Sequence, residues 1–188
     1  MQTATAAIVE TAILIRASEP DELEHLFQRH YGLVFRTAYR ITGNASDAED
    51  VLQTVFLRLT GRDPSAPAVE SSESYLRRAA VNAALDVVRA RQTGAHESLD
   101  ESLPGRGQTQ PDRRELQECL RQGLARLSPR EAEVFALRFL EGQSNREIAR
   151  MLGVSQVWVA VTVHRARGRL QKDIRSYWEA GHEKPAKL

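Results

Sequence analysis

The sequence predicts an all-α protein built as two small helical domains joined by a flexible linker. Apolar residues recur at helical spacing in two blocks, 21–92 and 112–178. Between them, residues 93–111 are rich in Gly, Ser, Pro and Gln and have no apolar period. Residues 1–20 and 179–188 are expected to form a leader and a tail outside the two domains.

Composition narrows the class of protein. The chain has 188 residues, 41% of them hydrophobic and 27% charged, which suits a globular protein in water. Its single cysteine, Cys119, cannot form an internal disulfide and lacks the spacing of a zinc site. The apolar stretch near the start has no basic residue before it and is interrupted by Glu10, which is wrong for a signal peptide or a membrane span. We therefore expect a cytoplasmic protein that does not insert into membranes.

Charge is unevenly distributed along the chain. The formal net charge is only +1, but the segment 155–178 carries five basic residues against one acidic residue. Between Glu19 and Asp63 the acidic residues outnumber the basic ones. The C-terminal block is therefore suited to phosphate and the N-terminal block to a protein partner.

The first block begins with a long helix that ends at Gly43-Asn44 in the manner of a C-cap. The apolar stripe of this helix consists of Leu23, Leu26, Phe27, Tyr31, Val34, Ala38 and Ile41. Ser46, with Glu49 three residues later, has the spacing of a capping box that would open a second helix. The buried stripe predicted for this second helix is Val51, Leu52, Val55, Phe56 and Leu59.

The opposite face of the second helix is mixed polar and apolar. Asp50, Gln53, Thr54 and Leu57 point away from its buried stripe. Spacing alone leaves two interpretations open: a surface for a partner, or an ordinary solvated face with one stray leucine.

A third helix is predicted from about Ser74 to Arg91. Its apolar face is continuous, and its remaining positions carry residues able to contact phosphate and base edges: Arg77, Arg78, Asn82, Asp86, Arg89 and Arg91. A plain solvated helix is the alternative.

The second block predicts a helix-turn-helix. A helix with the stripe Leu116, Cys119, Leu120, Leu124 and Leu127 comes first, which makes Cys119 a core residue. A helix capped by Ser128 follows, then a loop at Glu141-Gly142, a short helix, a turn at Gly153 and a last helix capped by Ser155. Its predicted packing positions are Ile148, Ala149, Leu152, Val154, Val159, Val163, Ala166 and Leu170. In this motif the last helix lies in the DNA major groove.

Three segments of the chain resemble, in their order and separation, extracytoplasmic-function (ECF) sigma factors of the sigma-70 family. These segments are DAEDVLQTVFLRL, YLRRAAVNAALDVVRAR and LSPREAEVFALRFLEGQSNREIARMLGVS. The resemblance covers about 21–172. It implies a sigma region 2 bundle (21–92) that binds the polymerase and opens the minus-ten region, and a sigma region 4 helix-turn-helix (112–178) that reads the minus-35 element. The loop 61–73 would capture a flipped-out base.

The resemblance also assigns residues to each role. The clamp helices of the largest subunit of core RNA polymerase would meet Asp47, Asp50, Gln53, Thr54 and Leu57. Minus-ten DNA would be contacted by Arg77, Arg78, Asn82, Asp86, Arg89 and Arg91. Minus-35 DNA would be contacted by Ser155, Gln156, Trp158, Ala160, Val161, Arg165, Arg167 and Arg169. Control by an anti-sigma factor is the regulation that the resemblance implies.

The sequence departs from the family pattern at several of these positions. Ala160, Val161 and Thr162 stand where a basic residue, a serine and an arginine are common, which puts minus-35 reading in doubt. The apolar surface of Trp158, Ala160 and Val161 suits either thymine methyl groups or another protein, and both interpretations stay open. Val81 stands where an arginine often precedes the asparagine, and Thr54 where an acid often follows the glutamine.

No catalytic or metal site, and no cofactor, is predicted. The five histidines are scattered without metal spacing, and no Gly-rich phosphate loop follows a strand. Two other functions remain as alternatives: a sigma-like adaptor that a partner protein targets, and a stand-alone helix-turn-helix regulator that binds DNA without polymerase.

Overall fold

A computed structural model describes residues 20–60, 71–94 and 111–181. These residues form α-helices and one π-helical turn with no strand among them, so the predicted all-α class is confirmed. The chain divides into two compact units, Met1–Val87 and Val88–Leu188. The predicted leader, the loop 61–70, most of the linker and the tail beyond 181 lie outside the described residues and stay predictions.

Two long helices form the core of the first unit. Helix α1 spans Pro20–Thr42 and packs along α2, Ala45–Thr60. The stripe predicted for α2 is confirmed, because all five of its members are buried. The chain turns between the helices at Gly43, which has a φ of 70° and donates its N–H to the Tyr39 carbonyl at 2.8 Å.

The residue that caps α2 differs from the prediction. The Asp47 N–H donates to Oδ1 of Asn44 at 3.2 Å, so Asn44 is the cap and the predicted role of Ser46 is wrong. Asparagine accepts this bond as well as serine does, and the tight turn at Gly43 brings Asn44 into position.

Part of the apolar stripe on α1 lies at the surface. Leu26, Val34, Ala38 and Ile41 are buried as expected, but Phe27 and Tyr31 are exposed. Phe27, Tyr31, Phe35 and Tyr39 instead form a ladder of rings along the helix, with centroids 5.5, 6.0 and 6.2 Å apart in sequence order. Four-residue spacing drifts around a 3.6-residue helix, so this row winds away from the core.

Helix α3 spans Ser72–Gln92 and is covered on more of its circumference than the sequence predicts. Leu76, Ala80, Ala84 and Val88 are buried, as expected from the apolar face. In addition, Val81 has 0% exposure and Leu85 has 1%. The helix therefore has less free surface for polar contacts than its pattern indicates.

A buried histidine joins α1 to α3. Nε2 of His30 lies 3.4 Å from Oγ of Ser72. Burial, with the charge of Arg29 as a second cause, holds the pKa of His30 below its usual value, against an opposing effect of Glu73.

The His30 pKa predicts acid sensitivity of the first unit. Because the folded state disfavours protonated His30, its contribution to stability is fully present above the unfolded pKa of about 6.5 and declines as pH falls below it. Urea unfolding at pH 7.5 and pH 5.5 measures the difference. The His30→Gln variant should lose less stability over this range than the wild type, and an equal loss in both would contradict the assignment.

The second unit is built around a long C-terminal helix. Helices α4 (Pro111–Arg126), α5 (Pro129–Phe135) and α6 (Asn145–Leu152) all pack on α7 (Gln156–Gly181). Of the predicted packing positions, Ile148, Ala149, Val159, Ala166 and Leu170 are buried, and Leu152, Val154 and Val163 are half-buried. Cys119 is buried as predicted, and burial raises the pKa of its thiol.

The ends of the short helices α5 and α6 are fixed by capping interactions close in sequence. Ser128 and Glu131 form a reciprocal capping box at α5, so the predicted Ser128 cap is confirmed. Ser144 and Glu147 form the same motif at α6, which was not predicted. Gly153 closes α6 in the left-handed conformation, with a φ of 65°. Helix α6, the first helix of the helix-turn-helix, therefore has a defined start and a defined end.

A close helix contact in the second unit depends on a glycine. A Cβ atom built on Gly123 would lie 2.5 Å from Cδ2 of Leu170, which is buried. Gly123→Val should therefore lower the free energy of unfolding by about 2 kcal/mol, because the packed Leu170 has little room to move. Gly168→Val is the matched control, since nothing lies within 4 Å of its Cβ position. Equal thermal stability of the two variants would contradict this contact.

Candidate polymerase and promoter interfaces

The outward face of α2 is exposed at three of its five predicted positions. Asp50 and Gln53 are exposed, and Asp47 and Thr54 are half-buried. Leu57, the last residue of this face along the helix, has 68% of its surface exposed. An exposed leucine of this kind, beside polar groups, is typical of surfaces that a partner covers.

The basic set on α3 is less accessible than the sequence predicts. Asp86 is exposed, whereas the other five members are half-buried: Arg77, Arg78, Asn82, Arg89 and Arg91. Arg77 forms an ion pair with Glu73, and only 13% of its side chain is exposed. Val81 and Leu85, which the predicted apolar face did not include, are buried on the same helix, so more of its circumference is covered than the pattern indicates. The assignment to minus-ten DNA stays a prediction.

The start of α7 is fixed by a side-chain cap. The Trp158 N–H donates to Oγ of Ser155 at 3.1 Å, which confirms the predicted Ser155 cap. The Thr162 hydroxyl donates to the Trp158 carbonyl at 2.8 Å, and Thr162 is buried. Both hydroxyls therefore bond to the backbone of α7 itself. A ligand of this end of the helix would meet the exposed side chains beside them.

An apolar surface covers the first two turns of α7. Trp158 and Val161 are 39% and 43% exposed, and Ala160 is also exposed. Val157, with 73% exposure, belongs to the same surface and was missing from the predicted set. Its spacing of four residues from Val161 is the signal that identifies it. We refer to Val157, Ala160 and Val161 as the apolar tip.

Basic residues follow the apolar tip along α7. Arg165 and Arg167 are exposed. Arg169 is exposed as well, but its Nη1 lies 2.6 Å from Oε2 of Glu131 on α5. That carboxylate also takes part in the Ser128 cap, so Arg169 is tied to the scaffold while the other two extend into solvent.

A π-helical turn, Ala136–Leu140, continues α5 and was not predicted. Glu141 donates its N–H to the Ala136 carbonyl at 3.0 Å, and Gln143 donates to that of Leu137 at 2.9 Å. Leu137 is buried, while Phe139 is 46% exposed and lies 4.6 Å, ring to ring, from Phe135. No residue pattern in the sequence predicts such a turn, because it depends on the tertiary position of each side chain.

Over the described residues the chain is therefore all-helical, with an exposed leucine, Leu57, on one unit and a helix-turn-helix on the other. No helix in the described ranges combines the length and the hydrophobicity needed to cross a membrane. The architecture is that of a DNA-binding transcription protein.

Comparison with known proteins identifies the family. Residues 26–93 match the model for sigma-70 region 2, and residues 117–170 match that for sigma-70, region 4. The chain is 30% identical to the RNA polymerase sigma-E factor of Streptomyces avermitilis, over 82% of this chain and 86% of the relative. It is 34% identical to the ECF RNA polymerase sigma factor SigE of Mycolicibacterium smegmatis, over 79% of this chain and 60% of the relative.

A solved structure shares the fold. CnrH, determined in complex with the cytosolic domain of CnrY, aligns with a TM-score of 0.52 at 24% identity, over 88% of this chain and 97% of that chain. The chain belongs to the ECF sigma factors of the sigma-70 family. It is a sigma factor that directs transcription initiation.

Proposed function

We propose that the chain binds core RNA polymerase through the outward face of α2, made of Asp47, Asp50, Gln53, Thr54 and Leu57. The observation that carries this proposal is Leu57, an exposed leucine beside the exposed Gln53 on a helix whose other side is locked into the core. An apolar anchor within a polar rim is the arrangement of a binding hot spot. Its partner would be the clamp helices of the largest polymerase subunit.

Promoter DNA is the second ligand. The polar side chains of α3 would contact the minus-ten region, and α7 would lie in the major groove of the minus-35 element. The chain would act in the cytoplasm and catalyse no reaction itself, since its contribution is binding and positioning. Arg165 and Arg167 support this role because they are exposed next to the apolar tip.

An anti-sigma factor is the third proposed partner. The related fold of CnrH was determined with the cytosolic domain of CnrY bound to it. Exposed apolar groups in both units of this chain, including Leu57 and the apolar tip, would be shielded from water by such a partner.

A pull-down with core RNA polymerase of the source bacterium tests the first contact. The double variant Gln53→Ala, Leu57→Ala should bind about 30-fold more weakly than wild type, because it removes the anchor and its polar neighbour. Glu49→Gln is the matched control, as Glu49 is exposed on the same helix outside the proposed face. Equal retention of the double variant and the control would contradict this interface.

Run-off transcription on genomic fragments separates the functions. Discrete transcripts from wild type, lost in the double variant, are the result expected of a sigma factor that reads promoters. Polymerase binding without selective transcripts would favour the adaptor that a partner targets, for which the apolar tip is the supporting observation. DNA binding with no polymerase binding would favour the stand-alone regulator.

A further inference from the structure

The apolar tip of α7 lies on the side of the helix that faces away from the core. An α-helix turns about 100° per residue, so Val157 and Val161 lie opposite the buried row of Val159, Ala166 and Leu170. In a helix-turn-helix this outward side at the start of the last helix meets base edges. At the first two turns of α7 the groove-facing surface is therefore mainly methyl groups, and the exposed His164 follows on the same side one turn later.

Hydroxyl groups near the tip are already engaged. The hydroxyl of Thr162 donates to the Trp158 carbonyl, and the residue is buried. The Ser155 oxygen accepts the Trp158 N–H. Gln156, by contrast, is an exposed amide at the first position of the helix. An amide of this kind pairs with N6 and N7 of adenine in the major groove.

Charge around the tip favours DNA over a protein as the occupant. Arg165 lies next to Val161 around one side of the helix, and Arg167 lies on the other side, so basic groups border the apolar surface on both flanks. A major groove has the complementary pattern, with phosphates along both edges and base edges between them.

We propose that Val157 and Val161 recognise thymine C5-methyl groups, so that this sigma factor reads an A·T-rich duplex by apolar contact. This inference rests on the proposed binding of α7 to promoter DNA. Thymine is the base that presents a methyl group in the major groove, and side chains without donors distinguish it by covering that methyl. Gln156, pairing with adenine, would add to the same preference.

Replacement of thymine by deoxyuridine tests the proposal, because it removes the methyl group and leaves base pairing intact. Holoenzyme reconstituted from the full chain and core polymerase selects binders from a random duplex pool. The selected duplexes are then made again with deoxyuridine at each thymine position in turn. Affinity should fall about fourfold for each contacted methyl group.

Two variants assign this effect to the helix. In Val157→Ser, Val161→Ser the penalty for deoxyuridine should disappear at the contacted positions, and helicity by circular dichroism should be unchanged because serine and valine have similar helix propensity. In Arg167→Ala the affinity for every duplex should fall, while the ratio between thymine and deoxyuridine stays as in wild type.

Three results would overturn the proposal. They are a selected pool without thymine enrichment, a penalty for deoxyuridine that persists in the double serine variant, and a double serine variant that loses binding to a protein partner while its DNA selectivity is unchanged. Each of them leaves polymerase binding and transcription intact. Failure to form a holoenzyme that transcribes is distinct, since it removes the proposed function on which this inference rests.

Discussion

Replacing Val81 by arginine is expected to destabilise the helix bundle by about 4 kcal/mol or more, because it places a charge at a position with no exposed surface. The family pattern that this segment resembles often has arginine before the asparagine, so the resemblance alone suggests that the change restores a DNA contact. The burial of Val81 in this chain predicts the opposite. Urea unfolding followed by circular dichroism measures the loss.

Two further variants separate charge from packing at this site. Val81→Ala should cost about 1 to 2 kcal/mol, which is the effect of a small cavity without a charge. Asp86→Arg introduces the same side chain at an exposed position of α3 and should change stability by less than about 1 kcal/mol. Near-wild-type stability of Val81→Arg would contradict the burial of this position.

Salt should weaken DNA binding by the isolated chain steeply. If Arg165, Arg167 and Arg169 all neutralise phosphates, raising salt from about 50 to 200 mM lowers the affinity about 40-fold, since each contact adds roughly 0.9 to the logarithmic slope. Fluorescence anisotropy with a labelled duplex at several salt concentrations gives this slope. A slope near zero would exclude the arginines as phosphate contacts.

The ion pair of Arg169 with Glu131 distinguishes this arginine from Arg165 and Arg167 in the same experiment. Arg167→Ala should reduce the salt slope by about 0.9. Arg169→Ala should reduce it less, because the guanidinium of Arg169 is held by Glu131 at 2.6 Å and part of its charge is already neutralised. Equal reductions in the two variants would indicate that DNA displaces Glu131.

The sequence predicts the fold well where local signals and apolar period agree. The buried stripe of α2, the Ser128 and Ser155 caps and the Gly153 turn each depend on residues within one or two helical turns. The capping box of Ser144 and Glu147 could also have been predicted, since its spacing is the same as that at Ser128 and Glu131. The Asn44 cap was missed because two capping residues compete within three positions.

Accessibility depends on tertiary packing and was harder to predict. Val81 and Leu85 extend the buried surface of α3 beyond the predicted stripe, and the four arginines of this helix are half-buried where a helical projection places them at the surface. The ion pair of Arg169 was equally hard to predict, because its partner Glu131 lies 38 positions away in the sequence. Of the apolar tip, Ala160 and Val161 were predicted, and Val157 could have been found from its spacing of four residues from Val161.

The buried thiol of Cys119 has a practical consequence for following this protein in solution. It is the single cysteine of the chain, and burial both hides it and disfavours the reactive thiolate. A cysteine introduced at an exposed position, such as the site of Thr60 just beyond Leu57, would therefore react selectively with a maleimide dye. Fluorescence from that one label would then report, in real time, the arrival and departure of the polymerase.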